Sequence, residues 1–163
     1  MTTTKQATIQ TIMVEVATAS LIGKALNYAV ATVEGWEFAT DHHFNDGGIN
    51  HRPGDYWSWW HRDERLVQFA YFDYSSKWAM GGPLVDLYKV AIRFQTNSMD
   101  ADAFWQAQIG AEPFESVEMW QQMQPLAANE CADTALIAIC LAVVAAKLGD
   151  TVSIPIELVE ASV

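Results

Sequence analysis

The chain has 163 residues, 51% of them hydrophobic, with seven Trp, seven Phe and five Tyr. That suffices for one domain whose core needs no disulfide or metal staple. Twenty acidic side chains against nine basic ones leave a net charge of −11, and from Asp100 onward ten acids face one base, Lys147. This balance disfavours a phosphate backbone as partner and reads as a solubilising surface.

Cys131 and Cys140 stand in no metal-ligand or redox spacing, and Cys140 sits inside an apolar run, as a reduced core thiol does. The Thr-rich opening, with one Lys and no apolar stretch, lacks a secretory pattern. The longest apolar run, Ala135–Ala146, covers 12 residues. A membrane helix needs roughly 20. The expectation is a soluble protein of a reducing cytoplasm, with no membrane partner.

In chain order, residues 1–8 are polar and expected to be loosely held. Ile9–Val16 alternates as a strand. Ser20 is the expected N-cap of a helix over Leu21–Glu34, stopped by Gly35. Leu21, Ile22, Ala25, Leu26, Ala29, Val30 and Val33 make its apolar stripe; Lys24, Asn27, Ala31 and Glu34 fall mainly on the other side. Trp36–Arg65 has dense turn signals and no periodicity, so it reads as a long ordered loop with room for a short hairpin. Leu66–Tyr74 reads as an aromatic-rich strand. The alternation of Tyr88, Val90, Ile92 and Phe94 with polar neighbours predicts a second, half-buried one.

Asp100 or Asp102 is placed to cap a short helix ending near Ile109-Gly110, and another short helix is expected over Phe114–Met123, before Pro125. Thr134 or Asp133 caps the strongest helix, Ala135–Leu148, with Gly149 just beyond. It is apolar nearly all round, so other elements must cover it. Thr151–Ile156 reads as a closing strand. The economical reading is a single α+β domain over 1–163. Its mainly antiparallel sheet packs against a buried C-terminal helix and an N-terminal amphipathic helix.

Three segments carry a resemblance. They are Thr18–Val30 through Glu34-Gly35; Tyr74-Ser75-Ser76-Lys77-Trp78 with Gly81-Gly82-Pro83-Leu84-Val85; and Leu136-Ile137-Ala138 with Val144–Pro155. In that order they resemble the opening helix, central motif and closing helix and strand of the phage NinX-like family. The chain departs from the family at Tyr28, where Trp is usual, and at or near Ser76, where a Pro is usual. It departs again at Ala132-Asp133-Thr134-Ala135, which replaces a Gly-Pro-Thr-Pro lead, and at Leu141, where an Arg is common. The resemblance implies a small phage or prophage protein in the cytoplasm of a bacterial host, and no known activity.

The chemistry-bearing residues gather in three places. Ser75 and Ser76 offer hydroxyls, Lys77 a cation and Trp78 a flat ring, while Gly81 and Gly82 can take φ > 0 and bring backbone close to a ligand. Tyr74, Ser75, Lys77, Trp78, Gly81 and Gly82 are therefore the candidate ligand-binding set, suited to a nucleotide-like or other anionic small molecule or to a protein. The alternative is a tight link between strands with Trp78 plugged into the core. Asp41, His42, His43, Asp46, His51, Asp55 and His61 offer imidazoles and carboxylates, but in no register that metal sites use. A polar loop is the simpler reading, with a metal-assisted hydrolase as the alternative. Trp57 and Trp59 alternate against Trp60, so an exposed aromatic interface of a homo-oligomer is open beside a lid over the core.

No nucleophile elbow, phosphate loop or cofactor motif is present, so no cofactor and no catalytic residue is implied. The leading expectation is a non-catalytic binding protein whose ligand is a small molecule or a host protein.

Overall fold

The helix that the sequence marks most strongly is also the centre of the molecule. In a computed structural model that describes residues 12–38, 59–62, 65–68, 72–96, 103–110 and 128–160, α4 spans Ala135–Leu148. Nine of its fourteen residues are buried, among them Leu136, Ile139, Cys140, Leu141, Val143 and Val144. Each fully buried aliphatic side chain contributes about 1.5–3 kcal/mol. Thr134 caps the helix: its hydroxyl accepts the Ile137 N–H at 3.2 Å. At the other end Gly149 takes φ 94° and its N–H donates to the Ala145 carbonyl at 3.0 Å.

Helix α1, Gly23–Val33, packs against α4. It begins two residues later than the sequence suggests, and Ser20 is not its cap. Thr18–Ser20 forms a 3-10 turn in which the Ser20 hydroxyl donates to the Ala17 carbonyl at 2.8 Å. Leu21 and Ile22 stay extended, and Gly23 enters the helix at φ 52°, a conformation that favours glycine. The stop at Gly35 is as expected. Gly35 has φ 78°, its N–H reaches the Thr32 carbonyl at 3.0 Å, and the Trp36 N–H reaches Ala31 at 3.0 Å, which satisfies the last carbonyls.

The polar side of α1 is a solvent face only in part, at Lys24. Asn27 is 6% exposed and Ala31 is fully buried, because the segment beginning at Phe72 covers that flank while α4 covers the other. Ile22, expected in the apolar stripe, is 51% exposed.

Eight strands form three antiparallel sheets among the described residues. β1 (Met13–Ala17) pairs with β8 (Thr151–Pro155), joining distant parts of the chain. β2 (Glu37–Phe38), β3 (Trp59–Arg62) and β4 (Arg65–Gln68) form the second sheet. Strands thus occur at the margins of what the sequence presents as loop, and β4 is shorter than the expected Leu66–Tyr74 strand. Residues 72–77 instead make a turn leading into helices α2 (Trp78–Gly81) and α3 (Pro83–Tyr88).

The third sheet is β5 (Ala91–Thr96), β6 (Ala103–Ile109) and β7 (Ala128–Ala132). Two corrections fall here. Tyr88 belongs to α3, and Lys89 at φ 55° breaks the run, so the strand starts at Ala91. The helix expected before Ile109-Gly110 is strand β6. Its Trp105, Ala107 and Ile109 turn to the core while Gln106 and Gln108 turn away, and pairing on both sides outweighs any capping by Asp100 or Asp102. Those two residues, and the helix expected over Phe114–Met123, lie outside the described residues. α5 (Ile156–Glu160) follows β8 and buries Leu158. No helix among the described residues is long and apolar enough to cross a membrane.

α4 packs against β6, β7, α1, α3 and the 3-10 turn, and one hydrophobic cluster runs through them. The fold is α+β, with antiparallel sheet against a buried C-terminal helix, as the sequence implies. Thr18 locks the turn to the end of α4: its hydroxyl donates to the Gly149 carbonyl at 2.6 Å and its N–H to the Asp150 carbonyl at 2.8 Å.

Two outcomes test this frame. Thr134→Ala should lower stability by about 1 kcal/mol in urea unfolding, the usual effect of losing such a cap. Burial first, and Asp150 second, hold the Glu130 carboxyl above the ordinary glutamate range. The folded protein therefore keeps that proton to higher pH than the unfolded chain does, so this group's contribution declines as pH rises out of the normal glutamate range. Glu130→Gln should melt higher than the parent at neutral pH, with the difference vanishing in acid.

Candidate functional site

The turn from Phe72 to Gly82 is built from both ends inward. Phe72 and Tyr74 are 5% and 6% exposed; the Phe72 ring meets Trp36 edge-on at 5.0 Å and stacks near-parallel with Tyr74 at 6.0 Å. Two rings thus anchor the strand-like entry in the core, while the residue between them faces outward. Asp73 then organises the turn. Its carboxylate accepts the Ser76 hydroxyl on one oxygen and lies 3.1 Å from the Lys77 ammonium on the other. Its carbonyl accepts the Lys77 N–H at 3.0 Å, and its own N–H donates to Met80 Sδ at 3.4 Å. The Ser76 hydrogen bond, with help from Lys77 and against partial burial, holds the Asp73 carboxyl below its usual range. Asp73 is ionised and engaged, which makes it a poor base.

α1 supplies the other fixed point. Asn27 Oδ1 accepts the Ser75 N–H at 3.0 Å, tying the turn to a helix 48 residues away in sequence. With both attachments made, α2 starts at Trp78. Met80 and Gly81 donate to the Lys77 carbonyl at 2.9 Å, and Gly82 donates to Trp78 at 2.9 Å.

The paired glycines serve packing, not left-handed backbone. Gly82 has φ −57° and ψ −43°, and among the described residues the glycines with positive φ are 23, 35, 110 and 149. That corrects the expectation of φ > 0 at Gly81 and Gly82. A Cβ on Gly81 would lie 2.2 Å from the Tyr74 carbonyl oxygen and 2.8 Å from Leu136 Cδ2 of α4. A Cβ on Gly82 would lie 2.5 Å from the Trp78 carbonyl oxygen and 3.2 Å from Trp78 Cε3. Only glycine admits these approaches. Pro83 then opens α3, where its missing N–H is no loss.

Trp78 is 58% exposed, which overturns the reading that plugged it into the core. It stands beside Lys77, whose side chain is 64% exposed, at the start of a short helical turn. The structure therefore separates the six sequence candidates. Tyr74 and Gly81 build the frame, Gly82 makes room for the indole, and Ser75, Lys77 and Trp78 reach the surface to differing degrees. The link is also not a direct strand-to-strand turn, since α2 and α3 intervene.

Two contributors escaped sequence reasoning. Asn27 looked like a solvent-side residue of α1, and Asp73 like one position of a strand. The available signals were a polar residue amid Ala25, Leu26, Ala29 and Val30, and an Asp three and four residues before Ser76 and Lys77, the spacing of a side-chain-closed turn.

The other sequence candidates are placed only in part. Asp41, His42, His43, Asp46, His51, Asp55 and Trp57 lie outside the described residues. His61 lies on β3 opposite Glu37 of β2 and Leu66 of β4. Trp59 and Trp60 are neighbours on β3, opposite Gln68 and Val67 respectively. No group of three or more His, Cys, Asp or Glu that could hold a metal ion occurs among the described residues.

The described residues form an α+β frame with a glycine-packed helical turn that carries an exposed indole. The chain belongs to the phage family described as Bacteriophage P22, NinX, whose model matches residues 17–147. The match takes in the first two segments noted in the sequence, the turn among them, and the third as far as Lys147. Comparison with curated proteins gives no match.

Gly81→Ala should be destabilised by about 2–4 kcal/mol in urea unfolding, because backbone and α4 confront the new methyl group. Trp78→Ala should unfold close to the parent, since the indole it removes is mostly in water. Equal stability of Gly81→Ala and parent would show that α2 does not approach Tyr74 and α4 as described.

Proposed function

We propose that this phage-family protein is a non-catalytic accessory protein that acts by binding, with the turn Tyr74–Gly82 as its contact element. The observation that carries this reading is Trp78: a large aromatic ring held 58% exposed on a backbone tied down at Asp73, Asn27 and Gly81. Exposed aromatic side chains on rigid supports are the commonest anchors of protein recognition, because little conformational entropy is lost on contact.

The groups around it favour holding over transforming. Ser76 and Lys77 are both engaged by Asp73, so neither is an activated nucleophile, and Asp73 is depressed rather than raised as a general base requires. Cys140 is buried on α4 with its thiol pushed up to about 12 by burial, which keeps it un-ionised and inert. The pairing of Lys77 with Asp73 in a chain of net charge −11 leaves little to attract a phosphate backbone. The ligand in this reading is a small molecule or a host protein.

The test is native mass spectrometry of the protein purified from its bacterial host, beside Trp78→Ala purified in the same way. A retained small mass, or a retained polypeptide, that disappears with the indole supports the reading. Identical retention by both proteins at matched stability overturns it.

A further inference from the structure

Strand β5 ends the sheet of β5, β6 and β7, and among the described residues nothing pairs with its outer edge. Such an edge offers backbone N–H and C=O groups to any strand laid beside it, and proteins commonly guard it with an inward charge, a proline or a bulge. β5 reads Ala91-Ile92-Arg93-Phe94-Gln95-Thr96, without proline, and pairs with β6 in one unbroken register from Ala91 with Gln108 to Thr96 with Ala103. Its one charge, Arg93, is drawn back over β6 by a bond to Gln106. At its middle stands Phe94. That ring is 53% exposed, although it shares the core-facing side of the sheet with Trp105, whose ring it meets at 5.2 Å.

The other side of the strand carries matched leftovers. Arg93 Nε donates to Gln106 Oε1 at 2.6 Å, and since an arginine only donates, this contact fixes which way the Gln106 amide lies. Gln95 presents its nitrogen to the same oxygen at 3.0 Å. What stays unbonded among the described residues is the pair of terminal Arg93 nitrogens, which donate, and Gln95 Oε1, which accepts. The two groups flank Phe94 on one face. Within one molecule nothing joins them; across a two-fold axis they are complementary.

We infer that β5 is a self-association edge: two copies join β5 to β5, antiparallel, about a two-fold axis at Phe94. Two three-stranded sheets then become one of six strands. In this register Phe94 opposes Phe94 of the partner subunit, and Arg93 opposes Gln95 of the partner subunit, twice by symmetry. Directly opposed side chains lie about 4.5–5.5 Å apart at Cβ, within reach of a guanidinium–amide bond and of ring contact. Centring the axis on Arg93 would set two guanidinium groups against each other, and centring it on Gln95 would leave Phe94 opposite Thr96. The side chains therefore select one register. Six residues of edge make a small interface, of the size that concentration-dependent pairs use.

The −11 on each copy opposes association at long range, but β5 and β6 hold no acid, and Arg93 is their single charge. Salt screens the repulsion and leaves apolar contacts and the hydrogen bonds of the edge in place, so the dimer tightens from low to physiological ionic strength. This interface is separate from the turn 74–82 and does not depend on the role given to it.

The test is sedimentation velocity of the full chain over a concentration series at low and physiological salt. A reversible monomer–dimer equilibrium that strengthens with salt is expected. Phe94→Lys sets an ammonium group against its own copy and should leave a monomer; the ring it removes is largely in water, so its melting should stay close to the parent's. Gln95→Glu sets a carboxylate against Arg93 at both ends of the join and should tighten the dimer roughly tenfold, although it adds negative charge to each copy. If Phe94→Lys does not fold, Gln95→Glu decides alone. A parent that stays monomeric at every concentration overturns the proposal. So does a dimer that loosens with salt, that Phe94→Lys leaves intact, or that Gln95→Glu fails to tighten.

Discussion

An apolar helix buried along most of its length is the constraint from which the rest of this structure follows. Ala135–Leu148 has bulky residues on every face, so it is stable only when elements from across the chain close around it. The sheet of β5, β6 and β7 supplies one wall and α1 another, and α3 and the 3-10 turn also pack on it. Each of these has one face committed to α4. What distinguishes them is what they do with their other side: Gln106 and Gln108 of β6 bond Asn129 of β7, α1 grips the turn at Ser75, and the turn after Phe72 raises an indole.

The candidate site is thus a product of close packing. Gly81 allows α2 to press against both the Tyr74 carbonyl and Leu136 of α4, so the short helix is referenced directly to the core. Asn27 references the same turn to α1. With two independent anchor points, the backbone that carries Trp78 is positioned by the fold, although α2 itself is a single turn that would not be helical alone.

Much of this was legible in the sequence, for identifiable reasons. Thr134 and Gly149 bracket α4 as cap and stop, and Gly35 ends α1 through hydrogen bonds local to the chain. Signals of that kind act over three to five residues, so sequence reading finds them. The failures are those where a partner distant in sequence decides. β6 has an alternation, Trp105-Gln106-Ala107-Gln108-Ile109, that short-range capping cues at Asp100 and Asp102 overshadowed; β5 and β7 on its two sides settle the matter. Gly81 and Gly82 read naturally as flexible positions, whereas their reason is a carbonyl oxygen and a ring that come close only after folding. Asn27 is the sharpest case. Its burial and its bond to Ser75 depend on a turn 48 residues away, and no periodicity could expose them.

The ribbon of β1 and β8 has an implication for how the molecule is made. Met13–Ala17 pairs with Thr151–Pro155, and Thr18 fastens to Gly149 and Asp150, so segments far apart in sequence must both be present before the ribbon can form. Contacts of such long range are slow to form, since loop-closure entropy must be met before they contribute. Throughout translation the helix at 135–148 therefore emerges into a cell without its final seal, exposing apolar surface that neighbouring nascent chains can capture. Until residues 149–155 have been made, neither the β1 pairing nor the Thr18 attachment can form.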